Sequence, residues 1–355
     1  MKSKIIKFGK RFGDIFAIKK SFFNENDSLI KKQKKIARIY KSQSKRKKCK
    51  VCEAKLYGPK FFNHKIEYII CSKCSHVNGR FNDTEYYSKK IYESENINYS
   101  NTYRSDNLKE FQNRQSKIYN PKVKFLINCL KKDKSIEILD FGCGSGYLIS
   151  SLIDHGFKNV KGVEVSNNQI NYGKNVLKKF GKNPLILSYV TRKKIFDEIS
   201  NTNAKCITLI GVLEHIVNVK YFMSLIKKNK NLKYIYLSVP MFSLSSVIEN
   251  NYSNVFNRHL GGGHTHLFTE KSLIKLMNRN GFYEKGSWWF GTDIPDLFRS
   301  FNIQINKNKS LGLKKVVNDF GTIIDDLQLQ LDKRKLSSQV HMFLERKNST
   351  SKKFK

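Results

Sequence analysis

From residue 136 onward, short strand-like segments alternate with stretches in which apolar residues recur every three or four positions. Runs at 136–141, 159–164, Leu185-Ile186-Leu187, 205–210 and 233–239 predict buried strands, and Pro240 ends the last of these. The helical stripes fall at 146–155, 167–180, 193–200, 218–229 and 270–280. In the first of them Tyr147, Leu148, Leu152 and Ile153 form the apolar face. A sixth strand is predicted through Trp288, Trp289 and Phe290, residues 293–335 read as a helical pair, and Gln339 to Leu344 reads as a last strand. Such alternation implies an α/β fold with a doubly wound, seven-stranded sheet. Upstream, Leu108 to Leu130 reads as helix divided by Pro121, and Ser28 to Tyr40 as a basic helix. Ile5, Phe8, Phe12, Ile15 and Phe16 recur at helical spacing among lysines. Such a stripe packs on the protein's own body or lies on an anionic membrane surface.

The first predicted strand runs into Asp140-Phe141-Gly142-Cys143-Gly144-Ser145-Gly146 and then turns helical. Three glycines spaced by two let a ligand approach the backbone, and the carboxyl end of a parallel strand is where nucleotide-type ligands bind. A dinucleotide fingerprint needs its third glycine one position later. The second strand ends in Glu164, 22 positions after Gly142, where a carboxylate can accept hydrogen bonds from both hydroxyls of a ribose. After the fourth strand comes Gly211-Val212-Leu213-Glu214-His215-Ile216.

The order Asp-x-Gly-Cys-Gly-x-Gly resembles the first motif of class I S-adenosylmethionine-dependent methyltransferases, and Val-Leu-Glu-His resembles a downstream segment of the same families. The resemblance implies a Rossmann-like core whose last strand is antiparallel. It also implies S-adenosylmethionine as cofactor, with Asp140, Gly142, Cys143, Gly144, Gly146, Glu164, Leu213 and Glu214 around it.

Seven cysteines fall into two groups. Cys49-Lys50-Val51-Cys52 and Cys71-Ser72-Lys73-Cys74 are two CxxC knuckles 18 residues apart, a spacing that fits a four-thiolate structural zinc ribbon. Phe61, Phe62, Ile66, Tyr68, Ile69 and Ile70 lie between them, enough for short hairpin strands but not for an independent core, so the metal is expected to supply much of the local stability. Cys129, Cys143 and Cys206 sit among apolar residues and read as small core side chains.

The second glycine-dense segment is His259-Leu260-Gly261-Gly262-Gly263-His264-Thr265-His266-Leu267-Phe268. From His264 to Phe282 it resembles methyltransferases with an N-terminal zinc-binding region, including the sugar C-methyltransferases of deoxysugar and surface-glycan pathways, although Leu267 replaces their usual aromatic residue. The resemblance puts His264 at the general-base position, with His266 and His215 as rivals, and imidazole suits that task near neutral pH. Tyr86, Tyr87, Tyr92, Tyr99 and Tyr103 crowd the region before the first strand, where a lid over the cofactor is expected.

The whole chain carries a formal charge of +38 over 355 residues, but residues 1–50 alone hold 18 lysines and arginines against 3 acids. The excess is therefore concentrated at the start, while lysine alongside asparagine, isoleucine, phenylalanine and tyrosine fits A/T-rich codon usage. No apolar run reaches the roughly 18 residues that span a bilayer, and residues 1–20 lack a secretory apolar stretch, so a cytoplasmic protein is expected. The expected organisation is a basic helical tail and linker over 1–48, with Lys45-Arg46-Lys47-Lys48 a solvated link. A zinc ribbon follows over 49–80, then a tyrosine-rich helical lid over 81–134, a core over 135–346 with its insert at 293–335, and a basic tail over 347–355. The expected activity is methyl transfer to a small sugar or nucleotide-linked sugar. The alternative is an RNA methyltransferase whose ribbon and tail grip phosphates. Against RNA, the chain has no Asp/Asn-Pro-Pro-aromatic segment after the fourth strand and no Pro-Cys nucleophile.

Overall fold

In the structure, a computed structural model, residues 4–13, 24–93, 108–261 and 263–347 are described. The strands are β1 (Ile5–Phe8), β2 (Lys60–Asn63), β3 (Ile66–Ile70), β4 (Val77–Gly79), β5 (Ile138–Phe141), β6 (Val160–Glu164), β7 (Leu187–Tyr189), β8 (Cys206–Ile210), β9 (Tyr234–Pro240), β10 (His266–Leu267), β11 (Phe282–Phe290) and β12 (Gln339–Arg346). The α-helices are α1 (Asn26–Lys41), α2 (Glu85–Glu93), α3 (Leu108–Arg114), α4 (Asn120–Cys129), α5 (Tyr147–Asp154), α6 (Asn167–Lys179), α7 (Ile195–Asn201), α8 (Val219–Lys228), α9 (Leu244–Asn251), α10 (Glu270–Arg279), α11 (Asp293–Lys307), α12 (Lys314–Gly321) and α13 (Ile324–Lys333).

The α/β core is a mostly parallel sheet in the order β1-β11-β12-β9-β8-β5-β6-β7. It has eight strands where seven are predicted. β12 runs antiparallel to both β9 and β11. The central strands β5, β8 and β9 are parallel and almost wholly buried, which accounts for how few polar residues they carry.

The added strand corrects the reading of the first residues. Ile5 to Phe8 is not helical: it pairs with Gly286 to Trp289 of β11. Trp288 Nε1 donates to Gly9 O at 2.8 Å, and the Lys7 ammonium lies 3.9 Å from the Trp288 ring centroid. Helical spacing places Ile5 and Phe8 on one face, but open backbone groups along β11 offer strand hydrogen bonds that the stripe alone does not reveal. Ile15 and Phe16 lie outside the described residues.

Residues 26–41 are no free tail either. α1 buries Leu29, Ile30, Ile36 and Tyr40. Ile36, Ala37 and Tyr40 pack with Ile66, Tyr68, Val77, Tyr87, Leu260 and Leu267 in one apolar cluster. The predicted solvated link is likewise interrupted. Arg46 is buried and pairs with Asp83, which also pairs with buried Lys50.

The cysteine knuckles flank a second sheet, ordered β10-β4-β3-β2. Cys49, Val51, Leu56, Ile69, Cys71 and Cys74 join the same apolar cluster as core residues such as Leu209, Phe268 and Met277. This unit therefore shares the core of the large sheet instead of standing beside it. Pro121 lies in the first turn of α4, preceded by a π-helical turn at Gln115–Tyr119. The insert holds three α-helices, α11 to α13, rather than a pair. No helix among the described residues is long and apolar enough to cross a membrane.

Candidate functional site

The glycine loop needs its glycines for stereochemical reasons. Gly142, Gly144 and Gly146 have φ of +73°, +55° and +74°, a region costly for residues with a Cβ. A Cβ on Gly142 would lie 2.8 Å from Val212 Cγ2, so the turn after β8 is packed directly against the loop. Asp140 is buried beneath it and accepts from Thr208 Oγ1 at 2.5 Å, tying β5 to β8. The Cys143 sulfur lies against Gly162 of β6, where any Cβ would meet it at 2.8 Å. Glu164 Oε2 accepts from Gly144 N at 3.0 Å, and Oε1 accepts from Val165 N and Ser166 N at 2.8 and 2.9 Å. One carboxylate thus bridges the glycine loop to the start of α6.

After β8, Leu213–His215 forms a 3-10 turn. Leu213 is fully buried in the core, and Glu214 is 5% exposed. The His215 and His264 rings lie 5.2 Å apart, and donor atoms of Glu214, His215 and His264 all fall within 4.8 Å of one another. His266 does not join them. It is fully buried in β10, its ring packed on His76 and Phe268. At the knuckles, Cys49 Sγ lies 3.6 Å from Cys74 Sγ, and Cys52 Sγ 3.6 Å from Cys71 Sγ. All four sulfurs fall within 4.8 Å of one another.

Residues 111–283 match the family model described as a methyltransferase domain. This stretch is a methyltransferase domain. Its chemistry is transfer of a methyl group from S-adenosylmethionine. The solved structures similar to the chain include magnesium protoporphyrin IX methyltransferase from Synechocystis PCC 6803 with S-adenosylhomocysteine (11% identity, 69% of this chain and 89% of that one, TM-score 0.42). A methyltransferase from Geobacter sulfurreducens in complex with S-adenosylhomocysteine is also similar (15% identity, 65% and 94%, TM-score 0.39). So is the plantazolicin methyltransferase (13% identity, 74% and 94%, TM-score 0.42). No curated protein sequence matches the chain significantly.

Within the methyltransferase domain, burial sets the electrostatics. It pushes the Asp140 carboxyl up to about 7 against the opposing Thr208 hydrogen bond, and Glu214 up to about 8. It also holds His264 down to about 4, with the neighbouring His259 adding to the effect, and His215 well below the usual histidine range. Near neutral pH this cluster therefore presents two uncharged imidazoles, each with a ring lone pair. His264 Nδ1 lies 3.2 Å from His259 O. Only an N–H can face a carbonyl in this way, so the His264 lone pair is on Nε2.

Several residues that shape the site are not evident in the motifs. Glu249 accepts from the backbone N–H groups of Arg258, His259 and Leu260, and from His259 Nδ1. Gln33 of α1 donates to Asn257 O and Leu260 O, so the N-terminal helix and α9 together hold the strand of loop that delivers His264. A lone glutamate and glutamine carry no spacing signal. Phe111 and Tyr119 stack on Tyr147, the first residue of α5, with centroids 4.1 and 5.1 Å apart. The described part of the expected lid thus sits beside the glycine loop. Tyr99, Tyr103, the Tyr92 side chain and Gly262 lie outside the described residues.

Proposed function

We propose that this chain methylates a small sugar or nucleotide-linked sugar, with the acceptor held between the glycine loop and the Glu214, His215, His264 cluster. The observation that carries this reading is the contact of Val212 with Gly142. It sets the turn bearing Glu214 and His215 against the cofactor loop, while His264 arrives from the glycine-rich segment that resembles sugar-modifying enzymes. S-adenosylmethionine supplies an activated sulfonium methyl, leaving alignment and proton removal to the protein. The bare backbone of Gly142, Gly144 and Gly146 leaves room for the cofactor, and Glu164 is placed for its ribose. Asp140 and Cys143 support the loop from below, and Leu213 and Glu214 close its side. The acceptor's proton is taken up at the histidine cluster, where His264 Nε2 has the lone pair for it. His266, buried in β10, positions the segment.

The four cysteines hold a structural zinc ion in this reading. The edge of a tetrahedron with Zn–S bonds of about 2.3 Å is about 3.8 Å, close to the two 3.6 Å sulfur pairs. Zinc content near one equivalent on purified protein is the expected result.

One observation favours the RNA reading: Lys31, Lys32, Lys34, Lys35, Arg38 and Lys41 are all exposed along α1. Methyl transfer from labelled S-adenosylmethionine to a panel of nucleotide sugars and to total RNA separates the two readings. The expected result is label in a sugar product, lost in His264→Ala while cofactor binding persists. Label confined to RNA, or His264→Ala keeping half of parental turnover, overturns the assignment.

A further inference from the structure

Beyond the cysteine knuckles, a second set of metal-ligating side chains meets at the end of β8. One carboxylate oxygen of Glu214 and one ring nitrogen each of His215 and His264 lie within 4.8 Å of one another. Glu214 Oε2 is buried and has no hydrogen-bond partner among the described residues. A buried acceptor left without a donor costs about 1–3 kcal/mol, more when ionised. A partner that is not part of the polypeptide would remove that cost.

The arrangement around His264 indicates what kind of partner. Its Nδ1–H faces His259 O at 3.2 Å, which fixes the tautomer and leaves Nε2 as the donor atom. A metal-bound imidazole is typically held in this way, its second nitrogen donating to a backbone carbonyl or carboxylate. The carbonyl of His259 is itself fixed, because Glu249 clamps the N–H groups on either side of it, those of His259 and Leu260. Two neutral imidazoles and one carboxylate suit a divalent transition ion and leave coordination positions open, whereas calcium and magnesium favour all-oxygen sets. Adjacent ligands of an ion bound at about 2.1 Å lie about 3.0–3.4 Å apart, a closure within reach of side-chain rotation.

We propose that Glu214, His215 and His264 bind one divalent transition-metal ion, distinct from the ion of the four cysteines, whose open positions accept an oxygen of the acceptor. The proposal rests on the reading above in placing the acceptor at this cluster, and it replaces His264 Nε2 as the proton acceptor, because that nitrogen's lone pair is committed to the ion. The three side chains act as ligands, and the hydroxyl proton leaves to water as the oxygen lone pair forms the O–CH3 bond. The S–CH3 bonding pair returns to sulfur. The preferred acceptor is then one bearing a hydroxyl.

The test uses the full chain without cofactor and Mn2+ as probe, read by electron paramagnetic resonance, because thiolate sites disfavour this ion. One equivalent is expected to bind, with affinity falling about tenfold or more in both Glu214→Gln and His264→Ala, as loss of a ligand requires. Zinc content and thermal melts on both variants, with S-adenosylmethionine binding on His264→Ala, report whether fold and cofactor site persist. Absence of Mn2+ and Co2+ binding at millimolar concentration, with cofactor binding intact, overturns the metal site and leaves the methyltransferase assignment standing. So does binding that neither substitution weakens. If the ion binds at the cluster but sugar acceptors are never methylated, the acceptor assignment fails and the metal site survives.

Discussion

Gly142 shows how one residue type serves several ends. Its φ of +73° and the 2.8 Å approach to Val212 leave no space for a methyl group. Gly142→Ala is expected to lose about 1–3 kcal/mol of stability and to bind S-adenosylmethionine at least about tenfold more weakly, as thermal melts and calorimetric titration would show. Asp140, two positions earlier, makes a pH-dependent prediction. Its folded pKa of about 7 lies above the ordinary carboxylate value of about 3.9, so the folded state holds a proton that the unfolded chain releases. Stability from this group is complete below about pH 4 and is lost as pH rises through 7. Asp140→Asn keeps an acceptor for Thr208 and has no charge to bury. In cofactor-free protein the variant should therefore gain on the parent between pH 4 and 8, by an amount on the order of 4 kcal/mol. A constant difference across denaturation curves over this range would refute the assignment. Both residues stand out in the sequence because a glycine loop closing a buried strand is specified by backbone shape. His264 was legible only as one of three histidines, since nothing in His-Thr-His says which ring the strand buries.

Among the elements, β10 does most to join the two parts of the molecule. It has only two residues, yet His266 pairs with Asn78 and Leu267 with Val77 of β4. Asn78 in turn donates from Nδ2 toward Cys49 Sγ at 3.5 Å and accepts from Lys50 N at 2.9 Å. The cysteine cluster is therefore linked by a short strand and one side chain to the segment carrying His264. Cys74→Ser, or chelation of the ion proposed there, should speed amide exchange at 76–79 and 264–268 while β5 and β6 keep their protection. Equal exchange in both regions would mean that apolar packing alone holds the segment. Strands β8 and β9 were readable because burial on both faces makes them largely apolar, and β5 and β6 because each ends in a recognisable motif residue, Asp140 before the glycine loop and Glu164. β1 was not, since four residues among lysines satisfy a helical stripe as well as a strand. α1 read correctly as a helix, but its buried face was hidden by flanking lysines. Four of its lysines, one arginine and the terminal Lys41 crowd the solvent side of the same turns whose Ile36, Ala37 and Tyr40 enter the core.

At the scale of the whole molecule, the charge of +38 is shared between surfaces that serve different ends. Part of it is consumed inside the fold, as Arg46 and Lys50 neutralise Asp83. The cations of α1 remain at the surface, on the face opposite the Gln33 side chain that holds the loop at Asn257 and Leu260. A face of that kind attracts any polyanion by releasing condensed counterions, with an affinity that falls steeply as salt rises. Such binding differs from recognition, because acceptor choice depends on groups next to the sulfonium and not on charges turned to solvent. Replacing Lys31, Lys32, Lys34 and Lys35 with glutamine should therefore weaken retention on RNA or heparin by about tenfold or more at low salt and flatten its salt dependence. Methyl transfer to the proposed sugar acceptor should keep its parental kcat and KM. Filter binding across a salt series, run beside a turnover assay on the same four-site variant, measures both quantities. Parallel loss of turnover and polyanion binding would make α1 part of the acceptor site and move the acceptor class to nucleic acid. Separate behaviour assigns the charge to a surface that the catalytic cluster does not use.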